Sequence, residues 1–319
     1  MIVNNNSEIL YLYEAKMCNP NGDPDNENKP RMDWATQRNL VSDVRLKRYV
    51  RDWLKSRGYE IFVTDVDGKA VEAYERVAEV FKDYDKLPIK EFGSEEKKMI
   101  LDYFIDVRMF GATMPIKQGD IFKSNANLNF TGPIQFTWGY SLNKAELLDS
   151  PSITSRLKTG GTKSQGTIGK DWRIKYSLIA FYGVVSRWNA LHTELSEEDI
   201  ELLDQAMKNA LVEMAATRSK IGQRPVLYLR IQWKDGERFI GDLRNYLKFV
   251  DSSSGLNDWN ELSISLEDDG ESNNTLYTGK LLRLVEGKKD AIDKVVVLWD
   301  PKFAEFLKEL KSMVIVEEV

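Results

Sequence analysis

One stretch constrains the fold more than any other, the run from Arg173 to Asp235. "RIKYSLIAFYGVVSRWNA" is rich in β-branched and aromatic residues and reads as a long strand. "SEEDIELLDQAMKNALVEMAATRSKIG" reads as a helix, capped by Ser196 and with acids in its first turn. "RPVLYLRIQWKD" is a strand again. Strand, helix and strand in succession call for a sheet that carries a helix on one face. Upstream, "EILYLYEAKM" (Glu8 to Met17) is another strand, and a helix capped by Ser42 runs to about Arg57, where Gly58 ends it. "YEIFVTDVDGKAVEAYE" suggests a hairpin turning at Asp67-Gly68. Residues 72–107 are mostly helical, with a break near Pro88 to Gly93. "RMFGATMPIKQGD" reads as a turn-rich loop, and "LNFTGPIQFTWGYSLNK" as a strand interrupted at Gly132-Pro133. The order strand, helix, strands, strand, helix, strand suits an α+β, ferredoxin-like β-α-β-β-α-β sheet with large insertions.

The chain has 319 residues, 42% of them hydrophobic, which is ample for a buried core. No apolar run approaches the roughly 20 residues that cross a bilayer. "MIVNNNSEIL" lacks the basic start and apolar stretch of a signal peptide, so the expected location is the cytoplasm. Cys18 is the one cysteine, which excludes an internal disulfide and points to a reduced, inert thiol. His192 is the one histidine, and it reads as a packed or surface residue. From Asp251 to Thr278 there are seven acids and no Lys or Arg, a stretch that reads as solvated loops or an appended lobe.

Two polar segments interrupt this pattern. "NPNGDPDNENKPRMD" (Asn19 to Asp33) follows the first strand directly. Asp23, Asp25 and Glu27 imitate the start of a calcium loop, but Asn28 stands where its glycine belongs and Trp34 where its last acid belongs. Asp23, Asp25, Asp33 and Asp43 leave a carboxylate magnesium nuclease as a rival reading. The second segment, "AELLDSPSITSRLKTGGTKSQGTIGK", is longer than most loops in compact domains, which marks it as functional or disordered.

The net charge of -5 alone argues against a nucleic-acid binder, but the cations are clustered. On a helical wheel "LKRYVRDWLKSR" places Leu46, Val50, Trp53 and Leu54 on one face. Lys47, Arg48, Arg51 and Lys55 form the opposite stripe, spaced to follow a phosphate backbone. Arg38 and Arg45 extend it. The second polar segment and its flanks carry Lys144, Arg156, Lys158, Lys163, Lys170, Arg173 and Lys175, with Ile168 and Trp172 as stacking candidates. Arg218, Lys220 and Arg224 form a third group, and Arg108 a fourth. Together they point to single-stranded nucleic acid.

"NPNGDPDNENKPRMD" followed by "LVSDVRLKRYVRDWL", then "VRMFGATMPI" and "FTGPIQFTWGYSLNK", resembles the CRISPR-associated backbone subunit of type I Cascade complexes. The subtype I-B form (the Csh2 family) is the nearest resemblance and the I-C form the next, over residues 8 to 235. The resemblance implies a modified RNA-recognition palm, helical fingers and a long β-hairpin thumb. The palm would take residues 1–71, 108–140 and 173–240, the fingers 72–107 and the thumb 141–172. Residues 241–319 would be an extension packed on the palm.

The resemblance also implies a non-catalytic subunit without cofactor or metal. Its partners would be the CRISPR guide RNA, copies of itself head to tail, other Cascade subunits, and target DNA through the guide. Ser42, Lys47 and Arg51 match the family's phosphate-contacting positions, and Gly111 lies in a loop expected against the RNA backbone. Asn19, Asn21 and Arg31 are expected to donate to phosphate or sugar, while the loop acids meet a neighbour's thumb. Arg48, Arg108, Lys144, Arg156, Lys163, Lys170, Trp172, Arg218 and Arg224 complete the expected RNA contacts. The rivals are a metal-dependent RNA-cleaving subunit and a plain oligomeric scaffold.

Overall fold

β1 (Ser7–Cys18) is buried on both faces, and its alternation divides the molecule. Ile9, Tyr11, Tyr13 and Ala15 point into one hydrophobic core, Leu10 and Leu12 into another. The computed structural model describes residues 1–65, 69, 71–148, 152–154, 168–235 and 238–319. After β1 come α1 (Asp43–Ser56), β2 (Gly139–Ser141), β3 (Ile174–Val185), α2 (Glu197–Met214), β4 (Gln223–Trp233) and, near the end, β5 (Ile292–Trp299).

β1 is antiparallel to both β3 and β4, and β2 is antiparallel to β3, giving the order β4-β1-β3-β2. β5 and Val316–Glu318 extend the sheet beyond β4, while Arg38–Val41 and Met32–Asp33 extend it beyond β2.

Both helices lie on the first face. Leu46, Tyr49, Val50, Trp53 and Leu54 of α1 share a core with Ile200, Leu203, Met207 and Leu211 of α2. The caps follow the sequence: Ser42 Oγ accepts from Arg45 N at 3.4 Å, and Ser196 Oγ accepts from Asp199 N at 3.1 Å. The second face is covered by the C-terminal segment, through Leu243, Leu256, Trp259, Leu262, Leu276, Leu281, Phe303, Phe306 and Leu310. The acidic stretch is therefore no solvated lobe. Its acids occupy connections, and the apolar residues between them face the sheet.

A third core belongs to the insertion between α1 and β2. It joins Phe62, Val77, Phe81, Ile100, Phe104 and Val107 to Met114, Ile116, Phe122 and Leu128. Helices Ala73–Val80, Ser94–Tyr103 and Ile105–Phe110 supply much of it. Strands Gly111–Ile116 and Ala126–Thr131 pair antiparallel against them, so "RMFGATMPIKQGD" is a helix end and a strand rather than a turn-rich loop. The turn residues Asp67 and Gly68 lie outside the described residues, and residues 59–65 form no strand. Phe62 N and Val63 N donate instead to Asp106, at 2.7 and 3.2 Å.

Candidate nucleic-acid interface

Three connections meet where β1 ends and β3 and β4 begin. Cys18 stands opposite Ile174, and Ala15 opposite Gln223. The Asn19–Asp33 loop, the root of the second polar segment, and residues 215–222 therefore share one end of the sheet. The faces of the central strands are covered, so what this end of the sheet presents is its connections.

The opening loop is an ordered hairpin in miniature. Gly22–Asp23 pairs with Lys29–Pro30 around a tight turn at Pro24–Asn26. Two of its four asparagines, Asn19 and Asn21, make hydrogen bonds within the chain. Asn19, 1% exposed, donates from Nδ2 to the Asn28 carbonyl at 2.7 Å. Asn21 Oδ1 accepts from Ser42 N at 2.8 Å and Ser42 Oγ at 2.9 Å, which locks the loop to the start of α1. Arg31 pairs with Asp23 at 3.1 Å and lies 5.8 Å from the Trp138 ring. Length and polarity thus serve a loop whose shape is fixed by its own amides. Asp33 accepts from Thr36 Oγ1 at 2.6 Å, and Asp43 pairs with Lys47 at 3.6 Å. Among the described residues no three His, Cys, Asp or Glu side chains gather as a metal-binding set.

Ser152–Thr154 pairs antiparallel with Ile168–Lys170, and this ladder is the described root of the second segment. Arg156 and Lys163 lie outside the described residues. Lys170 Nζ donates to both Glu27 oxygens at 2.7 Å, so the root is pinned to the opening loop of the same chain, where a neighbour's contact was expected. Trp172 follows, half-buried, with Lys29 4.6 Å and Lys170 5.9 Å from its ring. Asp171 gathers Arg173 at 2.9 Å and Arg218 at 3.6 Å.

Beside them the Cys18 thiol is buried and its pKa is pushed up to about 12, chiefly by that burial, which keeps it protonated and unreactive. Lys220 donates to the Asn19 carbonyl at 2.6 Å. Its pKa is pushed down to about 8, first by burial and then by Arg45.

The α1 stripe divides. Arg48 is 43% exposed and pairs with Asp52 at 2.7 Å. Lys47 is buried, donates to Gln135 Oε1 at 2.7 Å, and has its pKa lowered mainly by desolvation. Arg51 is buried against Asp106 at 2.8 Å, with the Phe110 ring 5.1 Å away. Away from this end, Arg108 holds Asp199 at 2.9 Å and the Leu101 carbonyl at 2.6 Å. Arg224 joins Glu14 at 2.9 Å to Asp300 at 2.6 Å. Lys144 is exposed, and its backbone N–H donates to Asp251 at 3.1 Å. Gly111, at φ +75, turns the chain from helix into strand. His192 packs edge-on against Trp188 at 5.2 Å.

With this geometry in place, the family model of the CRISPR-associated protein Cas7 matches residues 5–267. The chain belongs to the Cas7 family. The match runs past residue 235, into the acidic segment that covers the second face of the sheet. This Cas7 chain is 36% identical over 261 residues to the CRISPR-associated protein Cas7 of Haloferax volcanii, across 78% of this chain and 77% of that one. Its fold is similar to a chain of a solved "CRISPR RNA-guided surveillance complex, pre-nicking", with a TM-score of 0.50 and 12% identity over 98% of this chain and 96% of that one.

Sequence reasoning missed Lys29 and passed over Lys220 in favour of Arg218 and Arg224. The signal for Lys29 is slight, one of two cations in a loop with four acids. Lys220 stands among the basic residues of the third group, but its contact with the Asn19 carbonyl has no signal in the sequence.

Proposed function

We propose that this Cas7 chain is the non-catalytic backbone subunit of a type I Cascade surveillance complex, of subtype I-B. Copies line up head to tail along one CRISPR guide RNA, hold its phosphates and leave its bases free to pair with target DNA. Other Cascade subunits close the ends. Sequence recognition by the protein is then minimal, because pairing supplies it.

The observation that carries this reading is the meeting of the opening loop, the hairpin root and residues 215–222 at one end of the sheet, with Lys29 and Lys170 around Trp172. Cations beside an aromatic face suit a single strand. In this reading β1 to β4 with their two helices are an RNA-recognition palm, residues 72–107 are the fingers, and residues 141–172, rooted on the ladder of Ser152–Thr154 with Ile168–Lys170, are the thumb. Arg31, Ser42, Arg48, Lys144, Lys170, Trp172 and Arg218 contact the guide, with Arg156 and Lys163 on the thumb. Family membership over residues 5–267 and the 36% identity to a Cas7 protein support it.

Size-exclusion chromatography with light scattering tests it, with and without a repeat-spacer RNA and with the partner subunits added. The expected result is growth into RNA-containing multimers that a Lys170→Glu, Trp172→Ala variant does not form. A wild-type chain that stays free of RNA at low salt with all partners present would overturn it.

A further inference from the structure

Most buried or half-buried cations of this chain meet an acid: Arg51 meets Asp106, Arg108 meets Asp199, Arg230 meets Asp204 and Arg244 meets Asp242. Arg45 and Lys220 are among those that do not. Among the described residues neither takes part in an ion pair, and Arg45 Nε is buried without a hydrogen-bond partner. A chain of contacts links them. The Arg45 guanidinium lies 4.1 Å from the Tyr49 ring centre. The Tyr49 hydroxyl accepts from Gln223 Nε2 at 2.9 Å, and the same amide donates to the Lys220 carbonyl at 2.9 Å. Lys220 Nζ is in turn fixed on the Asn19 carbonyl at 2.6 Å.

Two like charges held together at a partly desolvated site repel, and the repulsion is relieved by an anion placed between them. We propose that Arg45 and Lys220 together seat one phosphate of the bound single strand. The inference rests on the guide-binding reading and adds to it a seat formed by α1 and the 215–222 connection, which joins Arg45 at the edge of the helical stripe to Lys220 of the third basic group. A phosphodiester is the matching chemistry, since Arg45 offers a planar fork and Lys220 a point charge. The depressed pKa of Lys220 agrees, with Arg45 among its causes. The other ionisable group that faces it is Cys18, whose thiol stays protonated.

The test measures the affinity of a fluorescein-labelled repeat RNA by anisotropy over a salt series, for wild type, Arg45→Gln, Lys220→Gln and Lys220→Arg. Each glutamine variant should bind about tenfold more weakly, the scale of one charged hydrogen bond. The slope of log affinity against log salt should fall by about 0.7, the scale of one single-strand phosphate. Wild-type affinity should drop as pH rises through 8, and Lys220→Arg, which keeps the charge, should bind without that drop. RNA binding by wild type with unchanged slopes in both glutamine variants would overturn the seat and leave the guide-binding reading standing. Failure of wild type to bind RNA would overturn both. A melting scan of each variant separates lost binding from lost folding.

Discussion

Arg51 Nε donates to Asp106 Oδ2 at 2.8 Å inside a fully enclosed carboxylate site, since Asp106 is 0% exposed. The same carboxylate accepts from Phe62 N at 2.7 Å and Val63 N at 3.2 Å. Arg51 thus fastens α1 to the insertion that carries the third core. A helical wheel places it on the stripe with Lys47 and Arg48, but it cannot show an acid 55 residues away.

Removing one partner of such a pair leaves the other charged and buried, which costs about 3–5 kcal/mol. Arg51→Ala should therefore lower the unfolding free energy of the free chain by that scale, read as a lower urea midpoint with little change in the slope of the transition. An unchanged midpoint together with lost RNA binding would return Arg51 to the role of a phosphate contact.

Gly111 leads to a similar expectation by another route. Its φ of +75 is a region that L side chains rarely adopt. A Cβ there would overlap the Phe130 carbonyl oxygen and the Gly132 nitrogen, both backbone atoms that cannot swing aside. Gly111→Ala should destabilise the chain by about 1–3 kcal/mol, the scale of overpacking. Thermal melting checks it, and a variant as stable as wild type would mean that the hairpin strand shifts freely.

Lys220 should give the free chain a pH signature. Its folded pKa of about 8 lies below the ordinary 10.5, so between these values the unfolded chain binds more protons. Stability contributed by this group then rises with pH across that window. The Cys18 thiol works in the opposite direction above its ordinary pKa of 9.0, because burial holds its proton in the folded state. The difference between wild type and Lys220→Met removes the thiol's contribution. Urea melts from pH 7.5 to 10 should show wild type gaining on the variant as pH rises. A constant difference would mean that Lys220 is not held in a desolvated site.

Local periodicity made β1, α1, β3, α2 and β4 legible, together with both serine caps, because each is decided by neighbours in sequence. The candidate interface was half legible. Lys170 ends the segment whose length marked it, Trp172 stands just beyond, and the two do lie together. Asn19 and Asn21 read as donors for RNA, yet their amides fix the loop, because the chain returns at Asn28 and Ser42 to meet them. The acidic segment was misjudged because Leu256 and Leu262 lie in irregular chain and Trp259 in a single 3-10 turn, where burial leaves no period to read.

Glu27 and Lys170 give a last, opposite expectation. Their contact at 2.7 Å is half exposed on both sides, and pairs of this kind add little to stability. Lys170 also holds the Glu27 carboxyl below its ordinary pKa, so the acid stays charged near neutrality. In the guide-binding reading that carboxylate competes with phosphate for the same ammonium. Glu27→Gln should therefore leave the melting transition in place, tighten RNA binding about two- to threefold, and steepen its salt dependence by up to about 0.7 in slope. Acidification through the carboxylate range should reproduce the gain in wild type and not in the variant. Weaker binding by Glu27→Gln would instead show that the acid holds the hairpin root in the position that RNA requires, so that the ion pair organises the site.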